Sequence, residues 1–316
     1  MKILVTGGCG YTGVMLVNEL LNLGHDVVVV DVQWFGNTLK NHKNLTVHKM
    51  DIRDTGEIPL QDIEIIYHLA NVANDPSVDL NPTLSWEINV LAAQQFAEAA
   101  IRAGVKRFIY ASSGSVYGVQ DEEKVTENLP LVPISVYNKT KMVAERVLLS
   151  YAQEMEIFAV RPATVCGVSP RQRLDVAVNM LTLQALENGE ITVFGGEQTR
   201  PNIHIKDLVR VYIHLLDTTA DSGVYNAGFE NLSISEIAMR VQQAVPCKIT
   251  VTDSNDPRSY RLCSDKLLAT GFEPEHSVAE AMMDLQDAFS KGMIRDHPQC
   301  HNVKWMKENS QDEQPQ

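Results

Sequence analysis

The sequence predicts an α/β fold, a doubly wound parallel sheet carrying a smaller C-terminal α/β lobe, and three observations lead there. The chain opens on an apolar run, Ile3 to Val5, which enters a glycine turn, Gly7 to Gly13, and then an amphipathic stretch, Val14 to Leu23. Strand-like apolar runs then alternate with helical periodicity, the rhythm of parallel strands joined by right-handed crossovers. From Ala163 that rhythm breaks into mixed helices and short strands. The expected division is 1–165, with segments near 203–227 returning to it, then a lobe over 166–293 and a polar tail over 294–316.

The glycine turn comes first in the argument. Gly8, Gly10 and Gly13 fit the spacing G-x-G-x-x-G, and Gly7, Gly10 and Gly13 fit the related G-x-x-G-x-x-G. A diphosphate has to approach backbone N–H groups at a helix N-terminus, and a Cβ would block it. Asp31 closes the run Val27 to Val30, eighteen residues after Gly13. A carboxylate there accepts hydrogen bonds from both ribose hydroxyls and repels a 2′-phosphate. The turn therefore reads as a Rossmann dinucleotide cradle that takes NAD rather than NADP. Thr12 adds a hydroxyl near the expected diphosphate.

Composition excludes several classes. With 44% hydrophobic and 21% charged residues, the 316-residue chain is that of an ordinary soluble globular protein. Its formal charge of −13 and lack of a basic stripe exclude nucleic acid and an anionic membrane as partners. The start, MKILVTGG, is already a strand, and no apolar run reaches membrane-spanning length, so the expected compartment is the cytoplasm. Five scattered cysteines without C-x-x-C spacing read as reduced thiols. His297, Cys300 and His301 lack a fourth ligand at plausible spacing, so no metal site is expected.

A third strand over Asn44–Met50 runs into Asp51, and a fourth over Ile63–Ala70 brings its end to the same edge as Asp31. Leu84 to Arg102 reads as one long helix ended by Gly104. Its apolar residues cover more than one stripe, which points to a second packing partner, a homodimer. The fifth strand, Arg107–Ser112, delivers Ser113 and Ser115 to the same edge. Tyr137 and Lys141 stand at i and i+4, on one face of the next helix. A nearby ammonium and a cationic nicotinamide ring would both favour the tyrosine as phenolate, and a strand-five hydroxyl would orient a substrate alcohol.

These pieces resemble the extended short-chain dehydrogenase/reductase superfamily, in its sugar-nucleotide epimerase/dehydratase branch, over residues 1 to about 290. The matching motifs are Thr6-Gly7-x-x-Gly10-x-x-Gly13, Asp31, Asp51-Ile52, His68-Leu69-Ala70, Asn89, Ser112-Ser113-x-x-Val116-Tyr117-Gly118, Tyr137-x-x-x-Lys141 and Arg161-Pro162. The resemblance implies NAD as cofactor, held by Gly7, Gly10, Tyr11, Thr12, Gly13, Asp31, Asp51, Ile52, Leu69, Ala70, Asn89, Tyr137 and Lys141. It implies Ser113 as the catalytic hydroxyl, Tyr137 as general base, and Lys141 as the residue that binds the nicotinamide ribose and lowers the tyrosine pKa. The implied partner is a nucleotide-diphosphate sugar met by Asn74, Ser113, Ser115, Asn179, Arg200 and Arg258. His204 and Asp207 are expected to hold the second lobe against the first. Family members commonly pair the helices corresponding to 83–104 and 137–152.

The expected reaction starts with Tyr137 taking the proton of a sugar hydroxyl at carbon 4 while that carbon gives hydride to NAD, leaving a 4-keto sugar. The family's 4,6-dehydratases carry an acidic pair after the strand-five hydroxyl; Gly114 and Ser115 stand there here, so dehydration is disfavoured. A 4-epimerase is the leading expectation. The competitors are a C4 dehydrogenase releasing a 4-keto product, on a GDP-sugar or GDP-heptose by likeness of Trp34 to Asn37 and Ala73 to Pro76 to surface-polysaccharide relatives, and a non-catalytic dinucleotide sensor. Cys166 replaces an aromatic residue common in the family and is expected to pack.

Overall fold

The computed structural model describes residues 1–254 and 259–309. Its main sheet has seven strands, all parallel, in the order β10-β6-β5-β4-β1-β2-β3. They are β1 (Lys2–Thr6), β2 (Asp26–Asp31), β3 (Leu45–Lys49), β4 (Ile65–His68), β5 (Arg107–Ala111), β6 (Glu156–Pro162) and β10 (Gly223–Ala227). The order reverses between β1 and β4, and the crevice that opens at their carboxyl ends is where such sheets bind ligands.

Apolar residues of successive strand positions divide between the two faces. Ile3, Val5, Val27 and Val29 pack with α1 (Tyr11–Asn22) and α7 (Ile205–Asp217). Leu4, Val28, Ile66 and Phe108 pack with α4 (Ala93–Arg102) and α5 (Val136–Leu149). Covered on both sides, these strands carry near-continuous apolar runs rather than alternation with polar residues, which is why the sequence displays them so openly. Two short helices, α2 (Asp75–Val78) and α3 (Pro82–Trp86), follow β4.

The second lobe holds β7 (Thr164–Cys166), α6 (Ala177–Asn188), β8 (Glu190–Phe194), β9 (Thr199–His204), β11 (Glu230–Ser233), α8 (Ile234–Ala244) and β12 (Lys248–Thr252). Its strands form two small sheets, β11-β9-β7 and β12-β8. Its core gathers Cys166, Leu181, Ile191, Ile237 and Met282, the last from α10 (Val278–Ser290). The short α9 (Asp265–Leu268) lies beside β10, whose Val224 carbonyl accepts from Lys266 Nζ at 2.7 Å. Asp207 accepts from the backbone N–H groups of Glu275 and His276 at 3.1 and 2.8 Å, tying α7 to the approach to α10.

Three expectations need correction. The single helix over 84–102 is α3, a π-helical turn over Glu87–Ala92, and α4. The wider turn changes the phase of the helix, and the side chain of Asn89 within it reaches Val72 and Thr140. The sequence pattern predicts a helix over Asp175 to Leu186; it starts instead at Ala177, because Asp175 is held by Arg173 at 2.8 Å and by the Asn302 N–H at 3.0 Å. The tail is not merely trailing: it forms α11 (Asn302–Asn309), whose Trp305 Nε1 donates to the Trp34 carbonyl at 2.6 Å.

The glycine turn is sterically determined as well as permissive. A Cβ at Gly13 would overlap the Gly7 carbonyl oxygen and press on Gly8 backbone, whereas one at Gly10 would meet only the Gly7 oxygen at 3.2 Å. Gly13→Ala is expected to cost about 1–3 kcal/mol, as overpacking does, and Gly10→Ala markedly less. Urea unfolding of the two variants checks the order; equal losses contradict it.

Candidate active site

The crevice at the carboxyl edge of the sheet has a volume of about 690 Å3. At one end the glycine turn brings α1 toward it. Gly7 has φ +71°, and a Cβ there would come 2.6 Å from the Ala70 nitrogen, so β1 and β4 can splay no closer than glycine allows. Gly10 caps α1 without a side-chain hydrogen bond, and no acidic residue lies in the first turn. The N–H groups of that helix end are thus left for an anion.

Asp31, at the end of β2, accepts from the Cys9 and Gln33 N–H groups at 2.9 and 2.7 Å. Burial pushes its carboxyl up, against the pull of those N–H groups. Gly7, Gly10, Tyr11, Thr12, Gly13, Asp51, Ile52, Leu69 and Ala70 all line the crevice. A cradle that side chains would fill, an uncapped helix end and a fixed carboxylate fit a dinucleotide.

At the other end stand the hydroxyls. Ser113 caps the short 3-10 turn Gly114–Tyr117 and shares a 2.7 Å hydrogen bond with the Ser115 hydroxyl, which donates in turn to Asn138 Oδ1 at 2.7 Å. The Tyr137 phenol faces the same crevice as the Ser113 hydroxyl, which favours its ionised form. Lys141 Nζ donates to the Ala111 carbonyl at 2.8 Å and lies 6.0 Å from the centre of the Tyr137 ring.

Burial and the Asp75 carboxylate push the Tyr137 phenol up to about 12, and the Ser113 hydroxyl and Arg173 only partly oppose them. Burial pulls Lys141 down to about 7. In the protein by itself, burial thus favours the neutral form of both groups and opposes the phenolate expected from the sequence.

Residues 3–228 match the NAD dependent epimerase/dehydratase family. The chain belongs to that family. The UDP-glucose 4-epimerase of Lactobacillus helveticus is 29% identical over 307 residues, 87% of this chain and 93% of that one. Among solved structures, the UDP-glucose 4-epimerase of Thermotoga maritima with UDP-glucose has a TM-score of 0.85 at 26% identity, over 93% of this chain and 100% of that one. The UDP-glucuronic acid 4-epimerase of Bacillus cereus, in complex with UDP-glucuronic acid and NAD, has a TM-score of 0.82 at 29% identity, over 92% and 99%. This epimerase/dehydratase-family protein is an enzyme, and its cofactor is NAD.

Two of the residues expected to touch ligands do not line the crevice. Asn89 is buried, donating to the Val72 carbonyl and Thr140 hydroxyl while accepting from the Val72 N–H. Asn179 is fully buried, with its amide spent on Gly167, Tyr11 and Arg173. Both brace the wall of the crevice. Tyr11 likewise turns its hydroxyl to the Gly167 carbonyl at 2.7 Å, leaving its backbone toward the turn. Asn74 caps α2 and donates to Asp175 at 3.2 Å. Arg200 lines the crevice from the second lobe, and Arg258 lies outside the described residues. Cys166 packs in the lobe core, its thiol raised by burial.

Sequence reading missed Asp75, Arg171, Arg173 and Asp175, together with Asn302 and Val303 of α11, all of which line the crevice. The visible signal was two arginines and an acid at alternate positions, 171, 173 and 175, directly after β7. Asp75 accepts from the Ser135 hydroxyl at the N-cap of α5.

Lys141 gives the family fold a testable pH dependence. Its folded pKa of about 7 lies below the ordinary lysine value, so between the two the unfolded chain binds a proton that the folded chain does not. Stability then rises with pH through that window, by up to about 1.4 kcal/mol per unit. In nucleotide-free protein, Lys141→Met is expected to flatten this rise between about pH 7 and 9.5. Urea titrations with parallel slopes for both proteins would sink the assignment.

Proposed function

We propose that this enzyme inverts the configuration at carbon 4 of a nucleotide-diphosphate sugar through a transient 4-keto sugar. The observation that carries the reading is the convergence of Ser113, Ser115, Tyr137 and Lys141 on one crevice, with no carboxylate at 114 or 115. Tyr137 accepts the proton of the 4-hydroxyl as carbon 4 is oxidised and returns it when carbon 4 is reduced on the other face. Ser113 holds the same oxygen, and Ser115 backs Ser113. Bound NAD supplies the hydride acceptor and donor for the two half-reactions, and its cationic ring adds the pull toward phenolate that Lys141 lacks by itself.

The substrate end of the crevice is walled by Thr192, Phe194 and Ile234 of the second lobe, and Arg200 stands there to meet a diphosphate. Asn74 and Ser115 are the polar groups offered to the sugar. The similar enzymes named above act on UDP-glucose and UDP-glucuronic acid, which makes UDP-sugars the first substrates to test. Among the described residues, Asp75 is the acid that acts on Tyr137, and its hydrogen bond to Ser135 ties it to positioning of α5 rather than to dehydration.

The test is incubation with UDP-, GDP-, CDP- and dTDP-sugars, following carbon 4 by NMR. Inversion without net NADH is expected, with kcat lowered about 10²–10⁴-fold by Tyr137→Phe and less by Ser113→Ala. Accumulation of NADH with a 4-ketone would replace the epimerase reading by a C4 dehydrogenase.

A further inference from the structure

Arg171 is only 6% exposed, yet it lines the crevice. Its guanidinium carbon stands 3.9 Å from the centre of the Phe35 ring, and one terminal nitrogen donates to Asn302 Oδ1 at 2.7 Å. Its Nε–H is buried without a hydrogen-bond partner. The acid nearest in sequence, Asp175, is engaged by Arg173 at 2.8 Å. Burial and the charge of Arg173 pull the Arg171 guanidinium down to about 10. Among the described residues no carboxylate pairs with Arg171, and a buried cation with a spare donor is costly unless an anion completes it.

Its position narrows which anion. Arg171 lines the same crevice as the Gly7–Gly13 turn and Asp31, and Phe35, over which it lies, follows Asp31 by four residues. It thus overlooks the gap between the helix end that receives a diphosphate and the carboxylate that receives a ribose. We propose that Arg171 is a cofactor-binding residue, its guanidinium engaging the diphosphate of NAD, and that Asn302 of the C-terminal helix holds it in place.

The sugar nucleotide is left to Arg200, so the inference rests on NAD binding and not on the identity of the sugar. It also gives α11 a function. Fastened at Trp34 and Asp175, the helix fixes the residue that faces the cofactor, and its own Val303 lines the same crevice.

The test is calorimetry on the full chain freed of nucleotide, titrated separately with NAD, ADP-ribose, adenosine and UDP-glucose. Arg171→Met is expected to weaken NAD and ADP-ribose about ten- to a hundredfold, the scale of a lost hydrogen bond between charged groups. Adenosine and UDP-glucose should change less than about twofold, a shift within the few tenths of a kcal/mol that indirect effects produce. Asn302→Leu keeps the charge but unties it, and should weaken NAD severalfold with adenosine unchanged; it decides the matter if the methionine variant does not fold. Unaltered NAD affinity in either folded variant, an equal loss for adenosine, or a loss confined to UDP-glucose overturns the proposal. Failure of the 4-epimerase reading would leave every one of these affinities as expected.

Discussion

The side chain of Arg161 ends deep inside the protein, 2% exposed, against Glu145, which has no exposure at all. Its Nε donates to Glu145 Oε2 at 2.9 Å, a second nitrogen donates to Oε1, and a third reaches the Tyr117 hydroxyl. Ser112 donates to the same carboxylate at 2.7 Å, and the Tyr117 hydroxyl donates to Asn226 Oδ1 at 2.9 Å. One ion pair therefore joins β6, α5, the end of β5, the turn after it and β10. Removing one partner would strand a buried charge, at about 3–5 kcal/mol.

The geometry of the chemistry follows from that lock. Glu145 lies four residues past Lys141 and eight past Tyr137, so the pair fixes the rotation of the helical face that carries both. Ser112, tied to the same carboxylate, is adjacent to Ser113, so the hydroxyl and the phenol are registered against a common point. The site is also dry for this reason. Burial moves the phenol and the amine in opposite directions, each toward its neutral form, and a pair so poised responds strongly to any charge brought beside it.

What could be read from the sequence were the features whose cause is local. Gly7, Gly10, Gly13 and Asp31 belong to one strand–turn–helix–strand unit, and Tyr137 and Lys141 to one helical turn. Motifs place Asn89 and Asn179 near the ligands without saying which way they face; in the fold Asn89 reaches Val72 and Thr140 from a π-helical turn, and the Asn179 amide points inward to Gly167. The arginines and acids after β7 needed contacts that no local pattern encodes: Arg171 meets Asn302 across 131 positions, and Ser135 meets Asp75 across 60. The tail was polar enough to look expendable, and only the seat of Trp305 on Trp34 shows otherwise.

Charge explains why those unpredicted residues matter. The chain carries a formal −13, which at long range opposes a diphosphate. Inside the crevice the balance differs: Lys141, Arg171, Arg173 and Arg200 line it against Asp31, Asp51, Asp75 and Asp175. Two of those acids are partly committed, Asp51 to Arg53 at 2.8 Å and Asp175 to Arg173 at 2.8 Å. Beyond about 8–10 Å in physiological salt the surface charge is screened, while buried groups are screened much less. Recognition of anionic ligands is therefore a short-range matter, in which each cation acts where it is fixed. Arg171 is held between Phe35 and Asn302, and Arg173 by Asp175. The glycine turn that opens the sequence offers a ligand only backbone groups, and the arginines that line the same crevice come from residues more than 150 positions later.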